Sequence, residues 1–219
     1  ISPDEELRKI LEYRTQELIE YQNLSYAKEY INFVGNILEK EQKTRSSSEL
    51  SQNVAKYLFK LMATKDEYEV ARLSLKTELD SAISKEFGKS AKINYMLHPP
   101  FLKAMENIPI LNMLPGVKSK LALGSWFKIF YVMLKNMKFL RGTIFDFMAW
   151  FSNDVRKADK KALNHYKSVL IRNIDEIGNG KYQDLKDFSV LPDIIRGYEE
   201  VRLETMTEFY QKSDNLFKS

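Results

Sequence analysis

Between Asp4 and Phe87 the chain contains no proline and a single glycine, Gly35. Proline ends a helix because it lacks a donor and clashes with the preceding turn, and glycine weakens one through its backbone freedom. Without either, little forces this stretch out of helix. Leu7, Ile10, Leu11, Leu18, Tyr30, Val34 and Ile37 recur at helical intervals along it. Pro3 followed by Asp4, Glu5 and Glu6 is a good helix start, since acids favour the positive end of the helix dipole. An unbroken helix from Asp4 to about Lys43 would be roughly 60 Å long. It is therefore expected to span the domain or to bend once, around Gln22–Asn23.

Ser46, Ser47 and Ser48 interrupt the pattern, and Ser46 with Glu49 fits an S-x-x-E cap for a second helical region over 49–87. Thr64 and Glu67 repeat the spacing, so this region is expected to stop and restart within Val54–Leu73, VAKYLFKLMATKDEYEVARL. Residues 91–97 alternate loosely and read as one short strand. His98-Pro99-Pro100, Pro109, Pro115, Gly116 and Gly124 make 98–124 a long loop, with room for a short helix at 101–106. A helix over 125–138, a turn at LRGTIFD (140–146), and helices from Ser152 or Asn153 to Ile177, over 181–190 and over 193–217 complete the reading. Gly178-Asn179-Gly180 ends the first of these last three helices. The expected fold is mainly α, a multi-helix orthogonal or bundle-like domain with long helices and at most one or two short strands near 91–97. It is read as a single domain over 1–219.

The 219 residues include no cysteine, which excludes disulfides and Cys-ligated zinc or iron–sulfur clusters on this chain. Phosphate-binding glycine loops, G-x-S-x-G and H-E-x-x-H are also missing from the sequence. The greasiest window, Leu121–Leu140, carries Lys128, Lys135 and Lys138, too many ammonium groups for a membrane helix. No N-terminal signal peptide is recognised. The chain is expected to be soluble and cytoplasmic, and its start at Ile1 suggests a piece of a longer polypeptide.

Three sets of residues could carry function. The two histidines are His98, before two prolines, and His165, among Lys161, Asn164, Tyr166 and Lys167. His98 reads as a structural or interface residue and His165 as a helix-surface one, each weighed against catalysis. Lys65, Asp66, Glu67, Glu69 and Arg72 form a dense two-signed cluster, either an acid/base group or helical ion pairs such as Asp66 or Glu69 with Arg72. From Asn107 to Phe145 there is no acid, while Lys118, Lys120, Lys128, Lys135, Lys138 and Arg141 mix with Trp126, Phe127, Phe130, Tyr131 and Phe139. That pattern is either a basic–aromatic surface for nucleic acid or an acidic partner, or core aromatics with lysine stems reaching water.

Five stretches, in order, carry a family resemblance: RTQELIEYQNLSYAKEYINFV (14–34), VAKYLFKLMATKDEYEVARL (54–73), INYMLHPPFL (93–102), KFLRGTIFD (138–146) and LPDIIRGYEEVR (191–202). Together they resemble the C-terminal helical region of the fused indolepyruvate ferredoxin oxidoreductases, of the 2-oxoacid:ferredoxin oxidoreductase superfamily. The resemblance covers nearly the whole chain. It implies a fragment of a much larger enzyme that decarboxylates an aryl-pyruvate on thiamine diphosphate and Mg. Electrons pass through iron–sulfur clusters to ferredoxin, and the acyl group leaves on CoA.

The thiamine motif and cluster cysteines belong to other segments, so no catalytic, cofactor-binding or metal-ligating residue is assigned here, and this segment alone is expected to be inactive. Its implied partners are other domains of the same polypeptide or a neighbouring subunit, packed through 91–146, with no membrane and no nucleic acid expected. The alternative is a free-standing helical module whose basic–aromatic face takes nucleic acid or an acidic protein.

Overall fold

The computed structural model describes residues 5–88, 95–97, 121–123, 128–146 and 148–217. Its α-helices, in order among the described residues, are α1 (Glu5–Tyr21), α2 (Leu24–Thr44), α3 (Glu49–Met62), α4 (Glu67–Ser74), α5 (Thr77–Phe87), α6 (Lys128–Asn136), α7 (Ala149–Asn173), α8 (Tyr182–Val190) and α9 (Glu199–Leu216). Two three-residue strands, β1 (Tyr95–Leu97) and β2 (Leu121–Leu123), pair antiparallel with Met96 opposite Ala122. The fold is mainly α. The first strand falls within 91–97 as expected; its partner comes from 98–124, read from sequence as loop. The short helix expected at 101–106 lies outside the described residues.

The chain falls into two compact units, Ile1–Thr64 with Asp154–Ser219, and Lys65–Asn153.

In the first unit the long opening helix does not form. Asn23 sits in extended backbone and its side chain accepts from the Tyr26 N–H, so the chain ends α1 and caps α2 within two residues. The helices then pack on one another, as a single rod could not. The local cap and the burial of two apolar faces together outweigh helix continuity. α3 runs antiparallel to α2: the Tyr26 hydroxyl donates to Met62 O at 3.0 Å and the Tyr30 hydroxyl to Ala55 O at 2.9 Å. Leu7, Val34, Leu58, Tyr166, Phe188 and Phe209 are among the buried side chains of this core. Each such side chain contributes about 1.5–3 kcal/mol on burial, against less than about 1 kcal/mol for exposed ion pairs such as Lys43–Glu39.

The S-x-x-E cap expected at Ser46 is not what starts α3. Ser48 is the cap residue and makes no side-chain cap bond. The fully buried Glu41 does the capping from α2, accepting from Leu50 N (3.0 Å), Ser51 N (2.9 Å), Ser51 Oγ (2.6 Å) and the Tyr182 hydroxyl (2.9 Å). A carboxylate at a helix N-terminus satisfies orphan donors and meets the dipole's positive end.

The last helix also departs from its expected span. A 3-10 turn, Leu191–Ile194, holds Pro192, and α9 begins only at Glu199. Gly197 lies in the break with φ +80°, where a Cβ would stand 2.7 Å from Val201 Cγ1. The glycine therefore makes the corner and is not a weak point in a helix.

In the second unit α4 packs on α6 through Tyr68, Ala71, Tyr131 and Leu134, with Leu75, Phe130, Met137 and Met148 around them. A 3-10 turn, Met137–Leu140, leads from α6 into the LRGTIFD turn. No helix of the described residues is long and apolar enough to cross a membrane.

Candidate functional site

The second unit gathers the charged cluster of Val54–Leu73 and the LRGTIFD turn into one buried polar network. α4 begins at Glu67 because Asp66 Oδ1 accepts from Glu69 N at 2.9 Å; the expected Thr64 box is not used. The Thr64 hydroxyl instead lies 3.3 Å from the Tyr21 hydroxyl, in the first unit. Asp66 then receives the guanidinium of Arg141, Nη2 to Oδ1 at 2.9 Å and Nε to Oδ2. The same guanidinium sits 5.5 Å from the centre of the Tyr68 ring. Glu69 and Arg72, both nearly buried, form a two-pronged pair at 2.8 Å on each prong. This fork geometry is the strong form of carboxylate–guanidinium recognition.

Asp146 organises the turn. Gly142 has φ +76°, a left-handed backbone suited to glycine, and from there its N–H donates to Asp146 Oδ2 at 2.9 Å. Thr143 braces the inside, its hydroxyl donating to Leu140 O (2.7 Å) and accepting from Phe145 N (3.2 Å). Asp146 Oδ1 accepts from the Tyr68 hydroxyl at 2.9 Å and from Ala149 N at 3.3 Å. Asp146 is 1% exposed and accepts from these three donors, so its carboxylate holds the turn and α4 together.

The sequence reading weighs an acid/base group against ion pairs, and the geometry is that of ion pairs. Glu69 pairs with Arg72 as read, while Asp66 reaches Arg141, far along the chain. Among the described residues no group of three or more His, Asp or Glu could hold a metal.

His165, read as a helix-surface residue, is only partly exposed. It is half-buried, with its ring against Phe209 (5.7 Å between centres) and Tyr210 (5.0 Å), and Nε2 2.8 Å from Ser213 Oγ. Burial pushes its pKa down, opposed by Asp214 and reinforced by Arg172 and Lys161. The lysines beside it in sequence gave the surface reading; the aromatic residues that cover it come from α8 and α9. His98 lies outside the described residues.

The basic–aromatic face divides. Tyr131 is buried, Phe130 half-buried and Arg141 engaged by Asp66, while Phe139 and Lys135 are exposed. Lys118, Lys120, Trp126 and Phe127 lie outside the described residues.

Sequence reasoning missed the role of Glu41. Nothing local signals a buried glutamate in α2; only its position ahead of the serine break could have suggested a cap.

A family of unknown function, DUF6537, matches residues 7–215, and the chain belongs to it. Comparison with curated proteins and with solved structures finds no match to this chain.

Proposed function

We propose that this chain is an accessory, non-catalytic helical domain of a thiamine-diphosphate-dependent 2-oxoacid:ferredoxin oxidoreductase, of the kind that converts an aryl-pyruvate to its acyl-CoA. The five ordered stretches support the family, and one structural observation supports the accessory role. Asp66 and Tyr68 from one stretch are spent on Arg141 and Asp146 from another. Residues that identify the family in sequence thus act on each other, as residues that hold a fold do.

The cofactors would reside on other segments. With no cysteine, this chain supplies no thiolate to an iron–sulfur cluster. Asp66, Glu69 and Asp146 already bind arginines or N–H and O–H donors, so they do not fit a Mg-diphosphate site. The domain's task is to pack against the other domains of the polypeptide or a neighbouring subunit. Ferredoxin and CoA would meet the enzyme elsewhere, in the cytoplasm.

The test is an assay of the full-length polypeptide that carries these residues. Aryl-pyruvate, CoA and a low-potential acceptor are supplied, and acceptor reduction is followed with thiamine diphosphate added or withheld. Thiamine-dependent reduction is expected. A full-length sequence without a thiamine motif or clustered cysteines, together with no reduction, would overturn the reading.

A further inference from the structure

Six of the thirteen large apolar side chains exposed among the described residues lie within one short stretch: Ile129, Val132, Met133, Phe139, Ile144 and Phe145. The first three share α6. With about 100° between successive residues, Ile129, Val132 and Met133 fall within an arc of about 100°. Tyr131 and Leu134 point the other way, into the core. At 77%, Ile129 is more exposed than a lone surface isoleucine needs to be, and it has apolar company.

The charged residues of α6 itself, Lys128 and Lys135, have one sign. Lys135 is exposed on the edge next to Val132, and Lys128, two turns earlier, is on the same edge. No acid occurs from Asn107 to Phe145. In the same unit the side chains of Asp66, Glu69 and Asp146 are nearly buried and engaged, while Glu67 is half-buried and Glu86 is exposed on other helices.

We propose that α6 is a docking face for an acidic amphipathic segment of a partner polypeptide. Its apolar side chains lie on Ile129, Val132 and Met133, and its carboxylates run along the Lys135 edge. Charge complementarity selects this occupant. A second copy of the same face would bring two lysine edges together, a like-charge contact that disfavours pairing. Nucleic acid needs cations at the centre and aromatic faces for stacking, whereas the α6 stripe is aliphatic, Tyr131 is buried, and the exposed Phe139 and Phe145 lie beyond the helix. The inference deepens the packing role proposed above and rests on it. Its test reads the contact and not turnover, so the two can fail separately.

The experiment places the photo-cross-linker benzoylphenylalanine at Met133 in the full-length polypeptide, irradiates cells, and maps the adduct by mass spectrometry. The expected adduct is one segment with apolar residues at helical spacing flanked by Asp or Glu. Lys135→Glu should lower its yield roughly tenfold without changing Tm, because Lys135 is exposed. Reversing the segment's acids to lysine should restore the yield in that variant. An adduct on α6 of a second copy, on nucleic acid, on lipid, or on a segment without acids would overturn the proposal, as would no adduct at all.

Discussion

The Tyr68 hydroxyl donates to Asp146 Oδ1 at 2.9 Å, joining residues 78 apart in sequence. That bond ties α4 to the turn that follows α6. Asp146 is buried, so the bond cannot be replaced by water without rearrangement.

Tyr68→Phe should therefore destabilise the second unit by about 1–3 kcal/mol, the cost of leaving a buried acceptor short of a donor. Chemical denaturation followed by circular dichroism measures it. A Tyr68→Phe, Asp146→Asn pair should cost less than the sum of the two single changes, because they act on one bond.

Glu41→Ala should cost on the order of 3 kcal/mol in the first unit, because it strips acceptors from Leu50 N, Ser51 N, Ser51 Oγ and Tyr182 at once. Glu41→Gln keeps the shape and one acceptor, so its loss should be smaller. Urea midpoints of the two variants separate these outcomes.

The glycines predict opposite signs for the same change. Gly35→Ala lies inside α2 with nothing within 4 Å of the new Cβ, so it should stabilise by roughly 0.5–1 kcal/mol. Gly197→Ala meets both the positive φ and Val201, and should destabilise by about 1–2 kcal/mol. Two melting curves decide it.

His165 gives the first unit an acid-side sensitivity. Its folded pKa lies below the ordinary 6.5 because burial disfavours the imidazolium. Above about 6.5 both folded and unfolded chains hold it neutral, and it contributes no slope. Below that value the unfolded chain takes up the proton first, so stability falls as pH drops toward the folded pKa. His165→Gln should flatten that part of a Tm-against-pH profile. An unchanged slope would show that other groups set it.

What the sequence made legible is what depends on local pattern. The helical content, the restart between α3 and α4 and the Glu69–Arg72 pair all follow from spacing within a turn or two. The hairpin at Asn23 was half visible: the place was right, but whether a helix bends or reverses depends on what its apolar faces meet. Pairings set by tertiary contact were not legible. Nothing near Asp66 names Arg141 as its partner, and nothing near Glu41 names Tyr182. His165 misled for the same reason, since its aromatic neighbours arrive from other helices.

The most direct measurement is aryl-pyruvate-dependent acceptor reduction by the full-length polypeptide bearing Tyr68→Phe or Asp66→Asn, assayed well below its unfolding temperature and scaled to the folded fraction. The account predicts a lowered Tm with turnover per folded molecule unchanged. A hundredfold loss of turnover at an unchanged Tm would contradict it and make the network part of the chemistry.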